Sequence, residues 1–140
     1  MEQPTVITIQ TSIEAPVAKV WEKWNTPADI IQWNAASDDW HTTKAENDLR
    51  PGGTLLSRME AKDGSMGFDF GAVYDQVITN ELIEYTLGDG RKVKIVFETE
   101  GDITHVTESF EAESQNSVEL QQYGWQAILN NFKKHVEAGL

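Results

Sequence analysis

The spacing of apolar residues changes along the chain, and each change marks a different kind of element. Residues 5–13 are β-branched and alternate in polarity, so they predict a strand with Ile7, Ile9 and Ile13 on one face. After Pro16, which suits the first position of a helix, the spacing becomes i, i+3, i+4, i+7. This apolar stripe predicts a short amphipathic helix and consists of Val17, Val20, Trp21 and Trp24.

A second short helix is predicted directly after the first. Pro27 ends one helix and starts the next, with Thr26 placed as its N-terminal cap. The apolar face of this second helix consists of Ile30, Ile31 and Trp33. Residues 34–39 are small and polar, and they predict a loop.

The middle of the chain alternates between strand-like segments and turn signals. Tight turns such as 88–90 (Gly-Asp-Gly) favour hairpins and an antiparallel meander. The predicted strands cover residues 40–46, 54–61, 68–79, 81–87, 91–100 and 103–113.

Helical spacing returns at the end of the chain. A long amphipathic helix is predicted to begin at Asn116 or Ser117 and to end at Gly139. Its apolar stripe consists of Trp125, Ile128, Leu129, Phe132 and Val136.

This order of elements predicts an α+β fold over residues 1–140, a length that suits one domain. We expect a curved antiparallel sheet of about six or seven strands wrapped on a long C-terminal helix, with two short helices after the first strand. Space between the sheet and the long helix would form a ligand cavity.

Composition narrows the classes of function. A formal net charge of −12 disfavours nucleic acids and anionic membrane surfaces, because both are themselves negatively charged. The chain has no cysteine, no apolar run near the roughly 18 residues of a membrane span, and no basic, apolar start typical of a secretory signal. We therefore expect a cytoplasmic protein without disulfides.

No cofactor or metal is expected from the motifs. The Gly-Asp-Gly at 88–90 lacks the residues that follow it in dinucleotide- and phosphate-binding loops. The three histidines, His41, His105 and His135, lie in three different predicted elements, which disfavours a metal site.

Several short strings across nearly the whole chain resemble those of the heat-shock-protein-90 ATPase activator-like family. This family is part of the helix-grip (SRPBCC) superfamily, which includes START-type lipid carriers, proteins of the birch-pollen-allergen type and polyketide cyclases. The resemblance implies the helix-grip fold and one of several roles. The strings are Ile13-Glu14-Ala15-Pro16, Val20-Trp21, Thr26-Pro27, Ile31-Gln32-Trp33, Asp48-Leu49-Arg50-Pro51-Gly52-Gly53, Asp63-Gly64, Tyr85-Thr86 and Gly124-Trp125-Gln126-Ala127-Ile128-Leu129.

Aromatic residues are the main candidates for the lining of a cavity. Strand alternation places Phe68, Phe70 and Tyr74 on one face. Either they form ordinary core, or they line an apolar pocket with Trp33 and Trp40 at its mouth. The complete set of candidate ligand-binding residues is Trp33, Trp40, Arg58, Phe68, Phe70, Tyr74, Glu108 and Trp125.

Glu108 is the candidate polar group of this cavity. Alternation places it on the same face as Val106 and Phe110, where an unpaired carboxylate is costly. Arg58 is a possible partner, because it interrupts a strand of apolar and small residues. Either a bulge or strand edge exposes Glu108 to water, or Glu108 is a pocket carboxyl with a raised pKa that orients a ligand or acts as an acid or base.

Three functions remain open on these grounds. The first is binding of a small, largely apolar molecule, and the second is a chaperone-regulating interaction module. The third is a cyclase- or dehydratase-like enzyme that uses Glu108. A homodimer is a further expectation, because aromatics near Trp33 and Trp40 would be buried by a second copy. A large cavity would favour the carrier or the enzyme over the module.

Overall fold

The computed structural model describes residues 5–139 and has the predicted helix-grip architecture. Seven antiparallel strands form one curved sheet, two short helices follow the first strand, and a long helix ends the fold. The elements are β1 (Val6–Ile13), α1 (Val17–Asn25), α2 (Pro27–Trp33), β2 (Trp40–Asn47), β3 (Thr54–Ala61), β4 (Gly67–Ile78), β5 (Leu82–Leu87), β6 (Lys92–Glu100), β7 (Ile103–Glu111) and α3 (Val118–Ala138).

The sheet is a meander except at one edge. Its strand order is β1-β7-β6-β5-β4-β3-β2, so the first and last strands of the sequence pair with each other. In this pairing Ile9 is opposite Glu108, and Ile95 of β6 is opposite Glu108 on the other side. Glu108 therefore lies within the sheet and not at its edge.

The helix α3 packs against the concave face of the sheet and supplies much of the core. Leu129, Phe132 and Val136 are almost completely buried, as their helical spacing predicts. The helix starts at Ser117, whose side chain accepts a hydrogen bond from the Leu120 amide at 3.1 Å.

Asp29 on α2 links the three helices at the C-terminal end of α3. Its Oδ1 atom lies 2.9 Å from His135 Nε2 on α3 and 3.3 Å from Lys23 Nζ on α1. Asn131 of α3 also donates a hydrogen bond to the Ala35 carbonyl, just after α2. These contacts hold the two short helices over one end of the sheet.

The turn between β2 and β3 supports strand β4. The Gly52 amide donates to the Tyr74 carbonyl, and the Tyr74 amide donates to the Gly53 carbonyl. A Cβ atom at position 53 would lie 2.0 Å from the Asp48 carbonyl oxygen, so only glycine fits there. This turn therefore positions Tyr74, which lies on the inner face of the sheet.

Candidate functional site

A cavity of about 330 Å³ lies between the concave face of the sheet and the three helices. Strands β3, β4, β5 and β7 form its floor, and residues of α1, α2 and α3 cover it. Most of its lining side chains are aromatic or aliphatic. The residues around it are Trp24, Asn25, Ile30, Trp33, Asn34, Leu55, Ser57, Met59, Phe68, Phe70, Tyr74, Tyr85, Arg91, Glu108, Glu113, Asn116, Gln121, Trp125 and Ile128.

Glu108 is a buried carboxyl on the floor of this cavity. It is 6% exposed and lies between Val106 and Phe110 on the inner face of β7. No hydrogen bond joins its side chain to another of residues 5–139, and desolvation alone raises its pKa to about 8. The alternative in which Glu108 faces water is therefore wrong. At neutral pH the group is mostly the uncharged acid, which can donate a hydrogen bond or a proton.

Two tyrosines line the same cavity from β5 and β4, which are separated from β7 by β6. Burial raises the pKa of Tyr85 well above its ordinary value, and the negative charge of Glu108 raises it further. Tyr74 is opposite Tyr85 in the β4–β5 pairing, and its hydroxyl donates to Asn47 Oδ1 at 2.5 Å. Burial likewise raises the pKa of Tyr74. Both phenols are therefore protonated donors over the physiological pH range.

Trp125 of α3 forms the aromatic cover of the cavity. It stacks on Phe110 with ring centroids 3.8 Å apart and planes 10° apart. Its ring also meets Phe70 edge-on at 6.3 Å, and Phe70 meets Tyr85 in the same way at 6.5 Å. These contacts join the long helix to β4, β5 and β7 around the space beside Glu108.

The two short helices close the opposite side of the cavity with tryptophans. The ring centroids of Trp24 and Trp33 lie 5.0 Å apart, and both rings contact the ring of Phe132 edge-on. The Trp33 indole N–H donates to the Lys23 carbonyl at 3.1 Å. Since Trp33 is only 6% exposed, it forms a buried wall of the cavity and not its mouth.

Asn25 adds a polar atom to this wall. Its side-chain nitrogen donates to the Trp21 carbonyl at 2.9 Å, which assigns the orientation of the amide. Its Oδ1 atom is buried without a hydrogen-bond partner among the described residues.

Two of the predicted ligand-binding residues lie outside the cavity. Arg58 is on the outer face of β3, because alternation directs its neighbours Ser57 and Met59 inward. Its side chain is 40% exposed and forms ion pairs with Glu60 at 3.2 Å and Asp69 at 3.5 Å. The predicted pair of Arg58 with Glu108 is therefore wrong.

Trp40 is the second such residue. It begins β2 at the edge of the sheet and contacts Phe68, with ring centroids 5.9 Å apart, but it does not line the cavity. Of the apolar residues around the surface expected for a dimer, Trp33 is buried, whereas Met66 and Phe68 are exposed. The homodimer itself stays a prediction.

The other predicted residues meet at the cavity. Trp33, Phe68, Phe70, Tyr74, Glu108 and Trp125 all line it. The ligand-binding residues predicted from the sequence do not include Tyr85, although the alternation of Ile83, Tyr85 and Leu87 in β5 signals one inward face. They also do not include Ser57, Asn25 and Arg91, for which spacing alone gives no functional signal.

The histidines lie elsewhere in the fold and do not line the cavity. His105 contacts Ser12 and Glu100 on the outer face, and His135 contacts Asp29. Across residues 5–139, no group of three or more acidic or histidine side chains could hold a metal ion. Within the same range, no helix has the length and hydropathy to cross a membrane.

Comparison with solved structures gives relatives over nearly the full chain. An AHSA1-like protein from Aeromonas hydrophila is 44% identical, with a TM-score of 0.91 over 96% of this chain and 94% of its own. A protein from Cytophaga hutchinsonii is 58% identical, with a TM-score of 0.82 over 95% of this chain and 92% of its own. A protein from Nitrosomonas europaea, 15% identical with a TM-score of 0.83 over 99% and 98% of the two chains, shares the fold alone.

No curated protein matches the chain significantly. The family model described as "Activator of Hsp90 ATPase homolog 1-like protein" matches residues 14–137. Its members have the helix-grip fold of the SRPBCC superfamily, which is compatible with ligand binding and with protein interaction. The match confirms the family resemblance of the sequence motifs, and the chain belongs to the Activator of Hsp90 ATPase homolog 1-like family.

Proposed function

We propose that this protein binds a small, largely apolar molecule in the cavity between the sheet and α3. The observation that carries the proposal is the cavity of about 330 Å³, with aromatic walls and the buried carboxyl of Glu108 on its floor. Small-molecule sites in proteins are typically concave and apolar, with a few polar groups that orient the ligand.

The packing around the cavity supports a role for the open space itself. Interiors of proteins are usually close-packed, and unfilled volume lowers stability. Here large aromatic rings surround the cavity without filling it. Nearby, α3 packs Leu129, Phe132 and Val136 tightly into the core. A ligand that contacts these rings would recover the missing dispersion contacts and bury apolar surface.

A fluorescence titration with N-phenyl-1-naphthylamine, a neutral apolar dye, tests this proposal. We expect saturable binding of one dye per chain and a change in tryptophan emission, since Trp24, Trp33 and Trp125 surround the cavity. Ser57→Leu should weaken the binding at least tenfold by filling the cavity. Its matched control, Ser109→Leu, changes an outward-facing serine of β7 and should bind like the wild type. Equal binding by both variants, or no saturable signal, would refute the proposal.

Family membership favours a second candidate, the regulation of a chaperone of the Hsp90 class. The specific observation is a pair of exposed apolar side chains, Leu120 and Tyr123, on the first turns of α3. If this surface contacts a chaperone, Tyr123→Ser should reduce any stimulation of the ATPase rate of a purified Hsp90-class protein. The same variant should leave dye binding unchanged. No stimulation by the wild type would reject this candidate.

The uncharged state of Glu108 also favours an enzymatic candidate of the cyclase or dehydratase type. A carboxyl with a pKa of about 8 can act as a general acid at neutral pH. Turnover of a polyketide-like substrate that is lost in Glu108→Gln would support this role. Binding of such a substrate without turnover would support the carrier instead.

A further inference from the structure

We propose that the cavity selects ligands with an uncharged oxygen group, a carbonyl or hydroxyl, that hydrogen-bonds to Glu108 and Tyr85. The apolar body of the ligand would lie against Phe70 and Trp125, and ligands with a carboxylate would be rejected. This inference rests on the proposed ligand-binding function and specifies the chemical class of the ligand.

The first argument concerns hydrogen bonds that the protein itself leaves unmade. Among residues 5–139, neither the Glu108 carboxyl nor the Tyr85 hydroxyl has a hydrogen-bond partner, and both side chains are buried at the cavity. Buried polar groups are nearly always hydrogen-bonded, so each group has a hydrogen-bonding capacity that the described residues leave unused. A ligand oxygen that reaches both groups would use it.

The second argument concerns the charge of that ligand group. A carboxylate would need a positive partner, and the lining of the cavity offers only Arg91. Its guanidinium is already paired with Asp89 at 2.8 Å and lies near the Glu111 carbonyl at 3.4 Å. The negative charge of a ligand carboxylate would therefore be buried in the cavity without a free positive partner among the lining residues.

A ligand ammonium group is disfavoured for a different reason. Its binding would require both the ammonium and a deprotonated Glu108 to lose their water, and a buried ion pair only about offsets this cost. Besides Glu108, the titratable or charged groups that line the cavity are Tyr74, Tyr85, Arg91 and Glu113, from β4, β5, the β5–β6 turn and the segment after β7. The lining residues of α1, α2 and α3 are uncharged. A ligand carbonyl or hydroxyl is uncharged, so its burial does not require a charged partner.

Four naphthalenes of nearly equal size test the inference by displacement of N-phenyl-1-naphthylamine. They are 2-acetylnaphthalene, 2-isopropylnaphthalene, 2-naphthoate and 1-(2-naphthyl)ethylamine. At pH 7 we expect the ketone to bind about tenfold more tightly than the hydrocarbon, as one or two good hydrogen bonds would provide. The carboxylate should bind most weakly.

The pH dependence of ketone binding identifies the donor. Deprotonation of Glu108 above its pKa of about 8 removes the donated hydrogen bond, so the affinity should fall about tenfold between pH 7 and pH 9. Glu108→Gln keeps an N–H donor without a titratable proton, so its ketone affinity should not change with pH. Tyr85→Phe should lose part of the preference for the ketone over the hydrocarbon. Glu98→Gln, at an exposed position of β6, is the matched control and should behave like the wild type.

The outcomes separate this inference from the function on which it rests. If the dye binds but the ketone and hydrocarbon displace it equally well, the inference is wrong and the binding function stands. Tightest binding by the amine, with an affinity that rises towards pH 9, would also overturn it. Absence of dye binding would remove the proposed function, and the inference with it.

Discussion

Glu108 occupies a position in β7 at which an apolar residue would cost the fold less. Its neighbours on the same face, Val106 and Phe110, are almost completely buried, and Ile9 and Ile95 lie opposite it on the adjacent strands. Desolvation by burial raises the pKa of Glu108 to about 8, so the free energy of unfolding includes the cost of this desolvation. A residue retained at such a cost is typical of a functional site.

Glu108→Gln should stabilise the protein at alkaline pH. The pKa of Glu108 is raised from 4.5 to about 8, so between these values the folded state keeps a proton that the unfolded chain releases. The free energy of unfolding therefore falls as the pH rises through this window. Glutamine lacks this proton, so the stability difference between variant and wild type should increase by roughly 3–5 kcal/mol from pH 4.5 to pH 8.5.

Urea denaturation of Glu108→Gln and the wild type at a series of pH values measures this stability difference. The other titrating groups are the same in both proteins, so their contributions cancel when the two free energies are subtracted. Glu98→Gln serves as the control, because it makes the same substitution at an exposed position. A stability difference that stays constant between pH 4.5 and pH 8.5 would show that Glu108 titrates normally.

The candidate site is only partly predictable from single residues. Glu108 is identified because strand alternation and a costly buried carboxyl point to the same position. The same alternation excludes Arg58 from the cavity, since Ser57 and Met59 on either side of it are the buried residues of β3. Of its two ion-pair partners, Asp69 lies opposite it on β4, and the composition of β3 does not determine that register.

At the scale of elements, α3 both completes the core and covers the cavity. Its C-terminal half packs Phe132 against Trp24 and Trp33, with ring centroids 4.8 and 4.9 Å apart. Its N-terminal half stacks Trp125 on Phe110 beside the open space. One helix therefore combines a tightly packed segment with a segment that lines a binding site.

Phe132→Ala should destabilise the protein by about 3–5 kcal/mol, as expected for the loss of a fully buried aromatic side chain. Phe132 is 0% exposed and connects α3 to both short helices. Thermal unfolding followed by circular dichroism measures the effect. Tyr123→Ala is the matched control on the same helix, since Tyr123 is 75% exposed and its loss should change stability by less than about 0.5 kcal/mol. Similar melting temperatures for Phe132→Ala and the wild type would contradict the packing of α3.

The elements are predictable where two local signals agree. Pro16, Pro27 and Ser117 mark helix starts next to clear apolar stripes, and α1, α2 and α3 begin beside them. The pairing of β1 with β7 has no such local signal, because these strands are separated by most of the chain. That pairing is what places Glu108 inside the sheet.

At the scale of the whole molecule, the cavity arises from curvature of the sheet. Seven strands curl around α3, and the space is left where Trp125 and the tryptophans of α1 and α2 cover the sheet without meeting. The order of elements predicts such a space, but its volume depends on the twist of every strand and on side-chain conformations. These are collective properties, so no local pattern in the sequence determines them.

The net charge of −12 leads to a prediction for the whole molecule. The 23 acidic residues outnumber the 11 basic ones, so the folded state brings like charges closer together than the unfolded chain does. Sodium chloride screens this repulsion, and we expect the melting temperature to rise by several degrees between about 10 and about 300 mM salt.

Replacement of two exposed acidic residues tests the cause of that rise. Glu98→Lys combined with Asp102→Lys makes the charge less negative at positions remote from the cavity. This double variant should melt at a higher temperature than the wild type in low salt, and salt should raise its melting temperature by a smaller amount. Dye binding should be unchanged, because the substituted residues do not line the cavity. An equal salt response in both proteins would mean that charge repulsion does not limit the stability of this fold.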